Sequence, residues 1–168
     1  VGFFEGTPNA KSNQPSMKNV LLTGGSGSLG TALSQKLLDA DRVVIFSRGW
    51  QRQAELREAL GDPLNFRWVI GDVCDKERLW RTMGGVDTVI HTAAIKDVWA
   101  CEYSPRPAIH INVLGTENVI DVAIDRKVEK VMVISSDKAV QAHNTYGKTK
   151  AMAESLAVAS NVGKGKTG

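Results

Sequence analysis

Short apolar runs alternate along this chain with stretches whose apolar residues recur at helical spacing. The runs occupy residues 20–23, 43–46, 66–70, 86–91 and 128–135, each flanked by glycine or polar residues. Between them Leu29, Leu33 and Leu37 repeat every fourth position, which predicts one face of a helix. WQRQAELREAL (50–60) and DKERLWRTM (75–83) read as two more helices, the second with Asp75 as its cap. A long helix is expected after Pro107, carrying Ile109, Val113, Thr116, Ile120 and Ala123 down one side, and a last helix over 145–159. Continuous apolar runs separated by helices predict parallel strands buried on both faces. Right-handed crossovers then wind them into an α/β fold with an open, doubly wound parallel sheet.

Residues 1–17 break the pattern, with Pro8, Pro15 and no periodicity; they are expected to be an N-terminal arm or leader, with Met17 a candidate start. The folded domain is therefore placed at 18–168. A length of 168 residues suits one such domain, and 42% hydrophobic with 23% charged residues is a globular composition. The net charge of +3 is mild and the basic residues are scattered, which argues against a nucleic-acid partner. No apolar stretch approaches the roughly 18 residues of a membrane span. Cys74 and Cys101 lack metal-ligand spacing and are too few for a disulfide framework, so no metal site is expected and a reducing cytoplasm is.

Glycines cluster where the first run meets the first helix, in TGGSGSLG (23–30). A helix N-terminus offers free amides and about half a positive charge, and a diphosphate reaches them only where no Cβ intervenes. Gly24 would allow the tight turn, Gly27 the approach of the phosphates, and Gly30 the close packing of helix on strand. Thr23, Ser28 and Leu29 belong to the same expected dinucleotide-binding set. A glycine-rich turn without a ligand is the alternative. The second run ends in IFSRGW, with Ser47 and Arg48 where NAD sites usually carry a carboxylate. A guanidinium suits a 2′-phosphate, so NADP is expected ahead of NAD; otherwise Arg48 is a solvated surface residue. Asp72 and Val73 (GDV) would lie by the adenine, unless Asp72 is only a cap or turn residue. Thr92, Ala93 and Ala94 would give the cofactor a flat wall. His91, His110 and His143 read as core histidines with satisfied hydrogen bonds rather than catalysts.

Tyr146 and Lys150 stand four apart, on one face of the last helix. A free tyrosine, with a pKa near 10, is a poor base at neutral pH, and a neighbouring ammonium would stabilise its phenolate. Such a pair can exchange a proton with a sugar hydroxyl or ketone while hydride moves to or from a nicotinamide. The spacing alone is weak, and it gains weight after a nucleotide-binding turn and the serines Ser135 and Ser136.

TGxxGxxG, the serine after the fifth strand and YxxxK resemble the extended short-chain dehydrogenase/reductases, which have an NAD(P)-binding Rossmann fold. FSR, GDVCDKERL, AAIKDVWACEYSP, INVLGTENVIDVAI, VISSDKAV and YGKTKAMAE narrow the likeness to the inverting UDP-N-acetylglucosamine 4,6-dehydratases and their capsule-polysaccharide relatives. The resemblance implies that NADP oxidises the sugar at C4 with Tyr146 as base. Lys138 would take the C5 proton and Asp137 would help the C6 hydroxyl leave as water. Hydride would return to C6, and C5 would be reprotonated from the opposite face. Ser136 would hydrogen-bond the C4 oxygen, Lys150 would hold the nicotinamide ribose, Lys96 would reach cofactor or substrate, and Ser135 would line the cofactor. The pair Asp137–Lys138 is otherwise a solvated turn with a local ion pair.

Asp97 and Trp99 replace the family's usual His and Pro after Lys96, Gly49 and Trp50 replace an acidic pair, Leu29 replaces Phe and Thr92 replaces Ala. The family also continues into a sixth strand and a C-terminal lobe that grips the UDP-sugar, both expected to be missing here. The likeness implies a UDP-sugar substrate, self-association through long helices, and weak turnover by these 168 residues alone. A 4-epimerase or reductase of the same superfamily, or a non-catalytic dinucleotide-binding module, are the other readings.

Overall fold

The computed structural model describes residues 18–162; the expected arm at 1–17 lies outside them. Five strands form one parallel sheet in the order β3-β2-β1-β4-β5: β1 Asn19–Thr23, β2 Arg42–Ser47, β3 Phe66–Ile70, β4 Thr88–His91 and β5 Lys130–Val133. This is the doubly wound, Rossmann-type arrangement the alternation predicts. β1 is central, with Leu21 opposite Val44 and Val89, and Thr23 opposite Phe46 and His91.

Each face of the sheet has its own apolar layer. Leu21, Val44, Phe46 and Val89 pack with Leu79 and Met83 beside α3 (Lys76–Thr82) and with Val119 and Val122 of α6 (Gly115–Asp125). Val20, Leu22, Val43, Ile45 and Ile90 pack on the other face with Leu37, at the end of α1 (Ser28–Lys36), and with Phe66. Full burial of each such side chain contributes about 1.5–3 kcal/mol, which is why the register is firmly set. Burial on both faces holds for β1, β2 and β4 but not for the two outer strands: in β3 Arg67 and Ile70 are exposed, and in β5 Val131 and Met132 are. β5 is an edge strand of the described sheet.

The remaining helices are α2 (Trp50–Ala59), α4 (Val98–Tyr103), α5 (Pro105–Ile109) and α7 (Thr145–Val162). Asp75 caps α3, its carboxylate accepting from the Arg78 amide. The leucine stripe on α1 is only partial: Leu37 is buried, while Leu29 is exposed at the helix's N-terminal end. The helix expected after Pro107 begins at Pro105 and contains a π-helical turn, His110–Leu114, between α5 and α6. Val113, Thr116, Ile120 and Ala123 are buried as predicted, and Ile109 is not.

The π turn has an evident role. It carries the buried Asn112, whose Oδ1 accepts from the Ile95 amide at 2.8 Å and whose Nδ2 donates to the Ile95 carbonyl at 2.9 Å and to Thr149 Oγ1 at 3.0 Å. One side chain thus ties the loop after β4 to α7. No helix among the described residues is long and apolar enough to cross a membrane.

Candidate nucleotide and sugar site

The cleft lies where the rules of open parallel sheets place it, beyond the carboxyl ends of the strands. β1 ends at Thr23, and Gly24 turns the chain at φ +68°, its amide donating to the Phe46 carbonyl at 2.8 Å. A Cβ on Gly24 would stand 2.7 Å from the Ala93 nitrogen, so the turn is closed to larger residues twice over. Gly27 caps α1 without a side-chain bond. The first-turn amides therefore keep their donors free. Gly30 is buried against the backbone of Gly25, where a Cβ would come within 2.5 Å. The packing it permits is helix on its own loop, rather than helix on strand.

Around this turn opens a cavity of about 650 Å³. Gly24, Gly27, Ser28, Leu29 and Gly30 line its floor, and Ser47 and Arg48 one end. Asp72, Val73, Thr92, Ala93, Ala94 and Lys96 line its walls, with Ser135, Tyr146 and Lys150 at the other end. The apolar residue Leu29 is exposed because it faces this space. Thr23 does not line it: fully buried, it sits beneath the loop with its hydroxyl on His91.

At the Ser47 end two arginines border the cavity. Arg48 Nη1 lies 3.7 Å from Asp72 Oδ2, in an exposed contact that contributes little by itself. Asp72 Oδ1 accepts from the Cys74 amide at 2.9 Å. Arg52, in the first turn of α2, also borders the cavity. It was missed in the sequence, although its place one turn beyond Arg48 was a usable signal. Gln53 was missed too. Buried, its Nε2 donates to Ser47 Oγ at 2.9 Å and to the Val69 carbonyl at 2.9 Å, fixing the Ser47 hydroxyl 2.8 Å from that of Ser26.

At the opposite end α7 presents Tyr146 and Lys150, both buried in its body and both bordering the cavity. The helix start is held by Glu102 of α4, which accepts from the Thr145 amide, and by Asn144, which accepts from the Gly147 amide at 2.7 Å. Desolvation lowers the pKa of Lys150, while Glu154 one turn on opposes that shift. The Ser135 hydroxyl is buried at the cavity wall without a hydrogen-bond partner. An orphan hydroxyl and a floor bared of Cβ atoms both fit a ligand of dinucleotide type.

Ser136, Asp137 and Lys138 lie apart from the cavity's lining, on a 3₁₀ turn, Asp137–Ala139, capped by Ser136. Ser136 Oγ donates to Asp137 Oδ1 at 3.0 Å, and Lys138 Nζ stands 3.6 Å from the same oxygen. The Ser136 bond, then the Lys138 charge, hold the Asp137 carboxyl below its ordinary range. A Cβ on Gly147 would overlap the Lys138 carbonyl oxygen, so the turn rests directly against α7 beside Tyr146.

Beneath the site runs a buried polar chain. Thr116 Oγ1 donates to the Asn112 carbonyl at 2.7 Å and so accepts from His91 Nε2 at 3.0 Å; His91 Nδ1 in turn accepts from Thr23 at 2.7 Å. That fixes a neutral imidazole with its proton on Nε2. Burial, and secondarily the Lys150 charge, push its pKa down to about 3. His91 is thus the core histidine predicted, whereas His110 and His143 are exposed surface residues and not core ones. Cys74 is pushed up to about 11, chiefly by burial, and neither cysteine is paired. Among the described residues no cluster of His, Cys, Asp or Glu could hold a metal ion.

Comparison with known proteins agrees with this architecture. The chain is 45% identical over 84% of its length to a UDP-glucose 4-epimerase of Rickettsia felis, of which it spans 43%. It superposes on Pen from Bacillus thuringiensis with a TM-score of 0.86 and 40% identity, covering 90% of this chain and 47% of that one. With DesIV, a dTDP-glucose 4,6-dehydratase from Streptomyces venezuelae solved with NAD and TYD bound, the TM-score is 0.81 and the identity 27%, covering 89% and 53%. The chain spans less than half the length of the curated relatives it matches. Residues 20–168 match one family throughout, and the chain belongs to the polysaccharide biosynthesis protein family.

Proposed function

We propose that the chain is the cofactor-binding and catalytic part of an NADP-dependent nucleotide-sugar 4,6-dehydratase acting on UDP-N-acetylglucosamine with inversion at C5. The carrying observation is the Asp137–Lys138 ion pair beside Ser136, lodged against α7 next to Tyr146. A one-hydride reaction needs a single base; removing water as well needs a second acid and base.

The first-turn amides of α1 would hold the diphosphate, Arg48 and Arg52 the 2′-phosphate, and Ser135 and Lys150 the nicotinamide end. A bound nicotinamide would supply the hydride acceptor for sugar C4 and the hydride donor for C6. Tyr146 takes the proton of the C4 hydroxyl, and the Lys150 ammonium in the same cavity wall stabilises the phenolate. Ser136 donates to the C4 oxygen. Lys138 serves as the base that removes the acidic C5 proton and Asp137 as the acid that helps the C6 hydroxyl leave as water. After hydride returns to C6, a proton is added at C5 from the opposite face. Lys96, at the cavity edge, contacts cofactor or substrate.

A 4-epimerase is the second reading, favoured by the name of the Rickettsia felis relative. Mass analysis of the product from UDP-N-acetylglucosamine separates the two. Dehydration gives a product lighter by one water, and Lys138→Ala abolishes it. Epimerisation leaves the mass unchanged and survives that substitution. Binding of NADP with no conversion, even by a longer chain that carries these residues, would leave only a dinucleotide-binding module.

A further inference from the structure

On the α3 face of the sheet, along the β2–β3 edge, lies a second cleft of about 200 Å³ that shares no residue with the large cavity. Four arginines line it: Arg42 at the start of β2, Arg67 in β3, and Arg78 and Arg81 one turn apart on α3. Arg67 is the register partner of Val44, which lies in the apolar layer under α3, so its side chain leaves the strand on that same face. An inward-pointing charge on an edge strand also guards against strand pairing. That accounts for Arg67 alone and not for three more guanidiniums around the same space.

The charges are poorly compensated. Among the four guanidiniums only that of Arg81 has a described carboxylate within 4.0 Å, that of Glu77, while Asp87 acts on Arg42 at longer range. Arg42 spends Nη2 on the carbonyls of Gly84 and Gly85, at 2.9 and 2.8 Å, and its Nε is buried with no acceptor. Arg78 Nε reaches the Ile70 carbonyl at 3.2 Å. Clustered like charges repel, and an orphaned N–H in a cleft asks for an acceptor. Guanidinium forks match phosphoryl oxygens bidentately. The volume admits a small anion and is too small for a helix or a folded segment.

We propose that this cleft is a second anion site, separate from the dinucleotide cavity, that takes a phosphoryl anion of the size of inorganic diphosphate. The test is calorimetric titration of inorganic diphosphate at fixed ionic strength into the wild-type protein and into Arg67→Gln and Arg81→Gln, with and without NADP. Arg67 and Arg81 are exposed, and unchanged thermal unfolding of the variants shows that they fold. With NADP saturating the turn at Gly24–Gly27, the expected result is saturable binding of diphosphate that weakens at least about tenfold in each variant. Under that condition, no saturable binding, or binding that either substitution leaves intact, would overturn the proposal.

Discussion

Gly147 lies so close to Lys138 that a Cβ at position 147 would overlap the Lys138 carbonyl oxygen. The glycine inside YGKTK thus lets the Asp137–Ala139 turn settle onto α7, one residue from Tyr146. Gly147→Ala is expected to push that turn outward while leaving the cavity at α1 untouched. Displacement of a reacting group by about 1 Å can cost about 100-fold in rate. Dehydration should fall by that order while NADP affinity, read by calorimetry, stays the same.

Arg48 and Arg52 border the end of the cavity where no carboxylate closes β2. A charge-assisted hydrogen bond contributes about 1.5–3 kcal/mol. Arg48→Ala and Arg52→Ala are each expected to weaken NADP binding by about tenfold or more and to leave NAD binding nearly unchanged. Parallel titrations of both dinucleotides check this.

His91 gives stability a pH dependence of definite sign. Its folded pKa is about 3 against an ordinary 6.5, so between those values the unfolded chain binds the extra proton. Stability therefore falls as pH drops below 6.5, approaching about 1.4 kcal/mol per pH unit. The carboxyls held low by hydrogen bonds, Asp62, Asp87, Glu102 and Asp137, add their losses chiefly as pH falls through 4.5, the ordinary value of Glu102, and below. Urea unfolding between pH 6.5 and 4.5 should show this slope in the wild type and lose it in His91→Gln.

Asn112 satisfies both backbone groups of Ile95 and donates to Thr149. Asn112→Ala strands them, at about 1–3 kcal/mol for a buried unsatisfied group. Urea unfolding should show a loss of at least that size.

Much of this fold was legible because the core strands carry their burial in the sequence. The runs at 20–23, 43–46 and 66–70 became β1, β2 and β3, and Asp75 announced α3. β5 lies at the edge of the described sheet, where Val131 and Met132 are exposed. α4 was not anticipated: VWACEY has only six residues, and its start depends on Asp97 accepting from the Ala100 amide. The π turn at Asn112 answers to the loop after β4, a contact between distant segments that no local periodicity encodes. Leu29, expected both in the leucine stripe and in the dinucleotide-binding set, borders the cavity. Gly24, Gly27, Gly30, Tyr146 and Lys150, read from spacing, line one cavity, whereas Ser136, Asp137 and Lys138, read from resemblance, lie outside its lining, and Gln53 and Arg52 depend on how α2 folds back over Ser47.

The central claim is that the turn at Gly24–Gly27 seats a diphosphate and directs a nicotinamide toward Tyr146. A crystal structure with NADP tests it most directly. The account predicts phosphate oxygens on the Ser28 and Leu29 amides, with the nicotinamide ring between Ser135 and Tyr146. NADP absent from that turn, or bound with its ring remote from Tyr146, would contradict it.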